Sequence, residues 1–434
     1  MADSWGRGIF ESSFSKGMIR VRILQSILLC TGLFLIAAIA VAGEKEIFLS
    51  DLEDKGVSLQ DLNPLNGETK YHDDPANRTL ISGYLVTSFR HTENGFPDAF
   101  GNETIFGADP AGTQEFGFNK LLIGISKRFS DYAWIATALK IATHIEGGEP
   151  EIETELDVGN INLMAPIGNG LIFTLGKFKS PVSFEQEDAP FLLQATQSLT
   201  YQFASPAKMT GVMLTYPFSI NLEARLIGFN GWQSDGDNND AKSLAFQIGY
   251  APIYWVNTKL SYIVGAELEN NSRDTRQVFD LAATLTPGNW LIGLEAAYGR
   301  EENQSLRNPG DHAEWLSGQV TLHYDFVRYF GLTGRYSFLA DIDGRAGIEA
   351  AHRQKRTMNE VTFASVFHIS PDFLGYLGMG MIPQSQHLIS GIDVRFEYRY
   401  DWVNETGPNT IFKDEAGNPV NNRHSFIVEL VARF

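Results

Sequence analysis

Between Ile392 and Trp402 the chain alternates without a break. Ile392, Val394, Phe396, Tyr398, Tyr400 and Trp402 fall on one face, and Asp393, Arg395, Glu397, Arg399 and Asp401 on the other. A period of two is the mark of a β-strand, whose successive side chains point to opposite faces. The same pattern recurs. Leu244, Phe246, Ile248 and Tyr250 alternate with Ser243, Ala245, Gln247 and Gly249. Val320, Leu322, Tyr324 and Phe326 alternate with Gln319, Thr321, His323 and Asp325. Leu332, Tyr336 and Phe338 alternate with Thr333, Arg335 and Ser337, and Phe426, Val428, Leu430, Ala432 and Phe434 with Ser425, Glu429 and Arg433.

The breaks between these segments come in two lengths. Short ones fall at Ser130-Asp131, Pro166–Gly170, Tyr216–Ser219, Ala251-Pro252 and Pro287-Gly288. Longer polar stretches fall at 93–115, 146–152, 182–206, 233–242, 269–275, 303–312, 342–356 and 403–422. Gly, Asn, Asp and Pro give these breaks the backbone angles of turns. Short turns on one side and long loops on the other are the layout of a transmembrane antiparallel up-and-down β-barrel, apolar face to lipid and charged face to water. The pattern predicts sixteen strands, at 80–92, 116–129, 132–145, 153–166, 170–181, 207–218, 219–232, 243–253, 256–268, 276–288, 289–302, 313–327, 329–341, 356–370, 387–402 and 423–434. Residues 371–388 either extend the fifteenth strand or form a long turn. A soluble sandwich with the apolar face as its core is the competing all-β reading.

The first 42 residues read as an export signal. Arg20 and Arg22 precede an uncharged run from Ile23 to Gly43 that ends in Ala40-Val41-Ala42, which places cleavage after Ala42. Met18 is an alternative start. Residues 43–79 are polar and acidic and read as a periplasmic extension, leaving 80–434 for the barrel. No later segment is long and apolar enough for a spanning helix.

Composition narrows the function. The 434 residues carry 34 Lys+Arg against 52 Asp+Glu, and removal of residues 1–42 takes the net charge from −18 to −20. Such acidity argues against nucleic acid as a partner. The single cysteine, Cys30, lies in the export signal, which excludes a disulfide framework and cysteine-rich metal centres. No nucleophile motif, phosphate loop or paired-histidine metal motif occurs, so no catalytic residue, metal or cofactor is expected. Asp235–Asp240 has calcium-ligand residue types, but Phe246 stands where the bidentate Glu would be needed, so it reads as a solvated loop.

Parity assigns charges to the inner face: Lys120, Arg128, Lys140, Arg225, Lys259, Arg335, Arg395, Arg399 and Arg433 against Glu223, Glu267, Asp280, Glu295, Asp325, Asp393, Glu397, Asp401 and Glu429. These are nine of each sign, and they serve either as pore lining or as ion-pair ladders that stiffen the wall. The loop Val182–Pro206 carries Glu185, Glu187 and Asp188 beside the apolar run Phe191-Leu192-Leu193. A loop folded into the lumen would pack that run against the wall while the three carboxylates narrow the channel. With the wall balanced, their charge would make the pore mildly cation-selective.

The stretch Gly176-Lys177-Phe178-Lys179-Ser180-Pro181-Val182-Ser183-Phe184-Glu185, the later Gly228-Phe229-Asn230-Gly231-Trp232 and the segment Arg395–Asp401 together resemble the OmpL-like β-barrel porins. The resemblance covers most of 80–434. It implies an outer-membrane pore passing small hydrophilic solutes in a Gram-negative-type bacterium, and no particular solute. The terminal Phe434 is similar to the signal that such barrels present to their assembly machinery. Sixteen-stranded porins are often homotrimers, but no segment identifies a trimer interface. A barrel whose loops carry a binding, adhesin or enzymatic role is the alternative function.

Overall fold

The computed structural model describes residues 79–95, 112–146, 149–232, 239–327, 329–343, 356–369, 391–404 and 411–434. The export signal, nearly all of the 43–79 extension, residues 371–388 and Asp235–Asn238 lie outside the described residues.

The strands are β1 Thr79–Thr92, β2 Thr113–Ser130, β3 Ala133–Glu146, β4 Glu149–Ala165, β5 Leu171–Lys179, β6 Lys208–Ser219, β7 Leu222–Phe229, β8 Ser243–Ile253 and β9 Val256–Leu268. They continue with β10 Asn271–Leu285, β11 Trp290–Glu301, β12 Ala313–Val327, β13 Phe330–Asp341, β14 Arg356–Ile369, β15 Gly391–Val403 and, after a small hairpin of β16 Phe412–Lys413 and β17 Pro419–Val420, β18 Asn422–Arg433. A short helix α1, Leu199–Ala204, follows a 3₁₀ turn at Ala189–Phe191. Sixteen strands pair antiparallel with their neighbours in sequence, and β1 closes the sheet on β18 from Tyr84↔Arg433 to Thr92↔Ser425. Closure satisfies every ladder internally, which a sheet in hydrocarbon requires. Both chain ends of the barrel share the rim of short turns, the periplasmic one in outer-membrane barrels.

The two faces separate as the alternation predicts. On β15 Asp393, Arg395, Glu397, Arg399 and Asp401 are buried, whereas Phe396 and Tyr398 are exposed on the outer wall. Outward aromatics touch one another near the turn rim, Trp290–Tyr324 at 4.7 Å, Tyr324–Phe326 at 4.9 Å and Phe330–Phe367 at 4.8 Å between centroids. Aromatic girdles of this kind sit at the membrane interfaces of such barrels.

Two expected loops are shorter than the polarity implied. β3 runs to Glu146 and β4 starts at Glu149, and only Glu269 and Asn270 separate β9 from β10. Strand pairing continues after the lipid-facing apolar pattern has stopped, because above the membrane polar side chains can face water on both sides of the same ladder. The hairpin β16–β17 lies inside the stretch 403–422 expected to be loop alone.

The β5–β6 hairpin leaves the wall at its tip. β4 pairs with β5 only over Gly159–Ala165 and Leu171–Lys177, while β5 and β6 stay paired up to Lys179↔Lys208. Two glycines permit this. Gly176 has φ +120°, and a Cβ there would lie 2.2 Å from the Gly159 carbonyl oxygen; at Gly211 the Gly228 carbonyl oxygen would be 2.1 Å away. Gly176→Val combines a clash with a backbone region closed to β-branched residues, a cost of at least about 1–3 kcal/mol. We expect a smaller fraction of heat-modifiable, folded barrel on semi-native gels than for Gly334→Val, where a Cβ meets only the Phe363 side chain at 3.9 Å.

Candidate channel site

The loop between β5 and β6 lies inside the barrel. Its base is closed by Ser180 N–H donating to the Ala207 carbonyl at 2.9 Å. From there it crosses to the opposite wall. Gln247 on β8 donates to the Pro181 carbonyl at 2.9 Å, Lys259 on β9 to the Ser183 carbonyl at 3.2 Å, and the Phe184 ring fills the space left by Gly293 on β11. Tyr84 on β1 donates to Asp188 at 2.7 Å.

Three wall arginines hold its middle. Arg335 donates to Glu185 at 2.8 Å, to the Thr196 carbonyl at 2.7 Å and to Gln194 at 3.1 Å, while its Nε meets Glu360 at 2.9 Å. Arg395 donates to the Ala189 carbonyl at 2.7 Å and to Glu429 at 2.8 Å. Arg399 donates to the Gln197 carbonyl at 2.7 Å and to Asp401 at 2.8 Å. The carboxylate of Glu397 accepts from Ala195 N–H and from Thr196 Oγ1, each at 2.6 Å. Loop carbonyls and amides that would otherwise be orphaned in the lumen thus find charged wall partners.

The loop then turns into α1. Ser198 caps it by accepting from Tyr201 N–H at 3.1 Å. α1 lies against β11–β14, and its Leu199 and Ala204 belong to one buried cluster with inward Ile227, Phe229, Ile263, Val278, Trp315, Leu339 and Met358. Phe412 of the β16–β17 hairpin joins the same cluster. The half of the lumen nearer the loops therefore has an apolar filling on the side of β7–β15.

This corrects the expected packing of the loop. Phe191 is exposed and Leu192 and Leu193 are half-buried; the apolar anchor is Leu199 and Ala204. Ala189 joins a buried apolar cluster with Val86, Val158 and Val431, but beyond it the wall presents Arg395, Glu397 and Arg399, whose contacts with residues 194–197 are hydrogen bonds.

The wall charges divide by accessibility. Among those expected to line a pore, Glu223, Arg225, Lys259 and Arg433 keep some exposure. Glu295, Arg335, Asp393, Arg395, Glu397, Arg399, Asp401 and Glu429 are buried. These eight lie under the loop or in tight ion pairs, so they are covered wall groups and do not present their charge to an open lumen.

Water reaches a different cluster, at the tip of the β5–β6 hairpin. Glu187 of the loop is 2.5 Å from Lys179, 3.1 Å from Lys208 and 3.6 Å from Lys120. Lys208 also meets Asp157 at 2.7 Å and pairs with Glu155, which Lys140 approaches to 2.9 Å. Lys179 meets Asp157 at 2.7 Å and Asp188 at 3.4 Å. Side-chain exposure is 12% for Glu187, 13% for Lys208, 15% for Lys179, 17% for Lys120 and 22% for Glu155, against 0% for Lys140 and Asp157. Burial would raise the Glu187 carboxyl, but Lys179, then Lys120 and Lys208, outweigh it and hold the group well below the usual carboxylate range.

All three loop carboxylates therefore face cations. Glu185 is spent on Arg335, Asp188 on Tyr84 and Lys179, and Glu187 on three lysines. Glu155, Asp157, Lys208 and Glu360 fall outside the inward charges that parity assigns, and Lys179 enters only through the family-like stretch 176–185. The signal in the sequence is the alternation Ile152-Glu153-Thr154-Glu155 on β4, but the bulge at Asp157 and the peeling of β5 break simple parity there.

A closed sixteen-stranded barrel with an internal loop and a charged, water-reached gap defines the class of membrane-spanning porin-like barrels. The family model described as "Putative beta-barrel porin-2, OmpL-like" matches residues 79–434, and the chain belongs to that family. It is an outer-membrane protein of the Gram-negative type. Among solved structures, the anion-selective porin from Comamonas acidovorans is similar at TM-score 0.54 and 9% identity, over 82% of this chain and 100% of that one. OmpT of Vibrio cholerae is similar at 0.53 and 11%, over 83% and 99%, and OmpF of Salmonella typhi at 0.51 and 12%, over 83% and 99%. At these identities the likeness is one of fold. No functionally curated protein matches the chain in sequence.

Proposed function

We propose that the protein is a porin that passes small hydrophilic solutes or ions by diffusion, and has no catalytic role. The observation that carries this reading is the gap beside Glu187. The loop covers Arg335, Arg395 and Arg399 of the inner wall, whereas Lys120, Lys179, Lys208, Glu155 and Glu187 stay in reach of water. A ring of fixed charge at a constriction is what sorts solutes in such pores. Planar-bilayer recording of the refolded mature chain tests it: discrete conductance steps are expected, and their absence from correctly folded protein would refute the reading.

The cation preference expected from three free carboxylates loses its basis, because each is matched by a cation. We instead place the balance of charge at Glu187. Reversal potentials in a KCl gradient should lie close to zero for the wild type. Glu187→Gln should move them toward the chloride equilibrium potential, and less so at high salt, where the field of the lysines is screened. Unmoved potentials would remove Glu187 from the selectivity-setting site.

The proposal extends to assembly. Phe434 lies on the outer face, with its amide and carbonyl bonded to Gly83 at 3.0 and 2.9 Å, and serves as the recognition end for the assembly machinery. Cleavage after Ala42, a periplasmic role for 43–79 and a homotrimeric state belong to the same reading.

A further inference from the structure

We propose that the gap is a binding site for small monocarboxylate solutes, and that Glu187 occupies their seat until one arrives. This rests on the porin reading and adds the class of solute. Four lysines converge there from four strands, Lys120 on β2, Lys140 on β3, Lys179 on β5 and Lys208 on β6. Four carboxylates answer them: Glu155 and Asp157 from the wall, Glu187 and Asp188 from the loop.

The four carboxylates are not equivalent. Asp157 is buried between Lys179 and Lys208, at 2.7 Å from each. Glu155 bridges Lys140 and Lys208. Asp188 is fixed by the Tyr84 hydroxyl at 2.7 Å as well as by Lys179. Glu187 combines a loop origin, contact with three lysines, and exposure to water. Its side chain already shows that the three ammonium groups can surround a carboxylate.

Charge sets the ligand class. These four lysines and four carboxylates balance with Glu187 in place, and its withdrawal leaves the eight-group set one positive charge in excess, the amount a single carboxylate cancels. Lysine suits such exchange. Its ammonium is a compact charge with three rotatable donors, so it accepts an incoming carboxylate without demanding the planar geometry an arginine would. A solute carboxylate entering the gap displaces Glu187 toward water and leaves the wall pairs of Asp157 and Glu155 intact.

The test is block of chloride current through the refolded mature chain in planar bilayers. Gluconate is the monocarboxylate probe, sorbitol its uncharged analogue, and phosphate the multivalent comparison. In Glu187→Gln, where the built-in competitor has lost its charge, the half-blocking gluconate concentration should fall at least about tenfold from the wild-type value. Glu187→Asp should stay near wild type, and Glu187→Gln combined with Lys208→Gln should lose the gain. Heat-modifiable mobility establishes that each variant is folded. Equal block of wild type and Glu187→Gln by gluconate would overturn the site and leave the porin reading standing. Equal block of Glu187→Gln by sorbitol and gluconate would overturn it too, since size alone would then explain the effect, and stronger block by phosphate than by gluconate would overturn the assignment to monocarboxylates. Folded channels that conduct nothing would refute the porin reading itself, and this proposal with it.

Discussion

Phe396→Arg should leave the barrel unable to insert, and Arg395→Gln, one residue away, should not. Phe396 is on the lipid face of β15, opposite Val428 of β18 and edge-on to Phe367 at 6.0 Å. A guanidinium at that depth costs about 2–4 kcal/mol near the midplane, and the strand cannot turn to hide it, since a one-residue slip would carry Arg395 and Arg399 into lipid as well. Arg395 faces inward. Its loss removes bonds to the Ala189 carbonyl and to Glu429, so the cost falls on the loop and leaves the sixteen ladders unchanged. Membrane fractionation with heat-modifiable gel mobility checks both. Assembly of both variants to the same extent would mean that the parity of β15 is wrong.

The wall was legible because lipid imposes a pattern that a single sequence displays. Each spanning strand must put apolar groups outward at every second position, so β8, β12, β13, β15 and β18 could be read residue by residue. Strand ends beyond the membrane lose that constraint, and so the starts of β4 and β10 were placed too late, at 153 and 276 rather than Glu149 and Asn271. The interior was less legible for a related reason. Parity tells which side chains point inward and is silent about what covers them. Arg335 and Arg399 read as pore lining until the loop is seen to lie across them, with Glu185, Thr196 and Gln197 as partners far along the chain. The charged gap depends on the β5–β6 tip leaving the wall at Gly176 and Gly211. A glycine in a strand pattern marks a bend or a close approach, but the direction of the bend is set by contacts between Lys179, Lys208 and β4 that no local pattern encodes.

Arg335→Met should release the loop and open the lumen while the barrel stays assembled. Arg335 is completely covered and is the point at which the most loop groups meet: Glu185, Gln194, and both the carbonyl and the hydroxyl of Thr196, the last at 3.0 Å. Removing one partner of a buried ion pair costs about 3–5 kcal/mol, because the remaining charge stays buried without compensation. Here Glu185 and Glu360 would both lose their close cation; Glu360 keeps Ser337, Thr362 and a more distant Arg399 at 3.8 Å, whereas Glu185 keeps the Ser198 N–H at 2.7 Å. The cheaper relief is for Glu185 to leave for water, and it takes the loop with it. The backbone ladders of β13 with β12 and β14 do not involve the guanidinium, so closure of the sheet is unaffected. We expect larger single-channel conductance, weaker charge selectivity and new protease cleavage within residues 180–207, with heat-modifiable mobility retained. Arg335→Lys, which keeps the charge but cannot span Glu185, Thr196 and Glu360 at once, should fall between the two. Unchanged conductance together with a protease-resistant loop would mean that α1, packed through Leu199 and Ala204 on the apolar wall, holds the loop without the arginine.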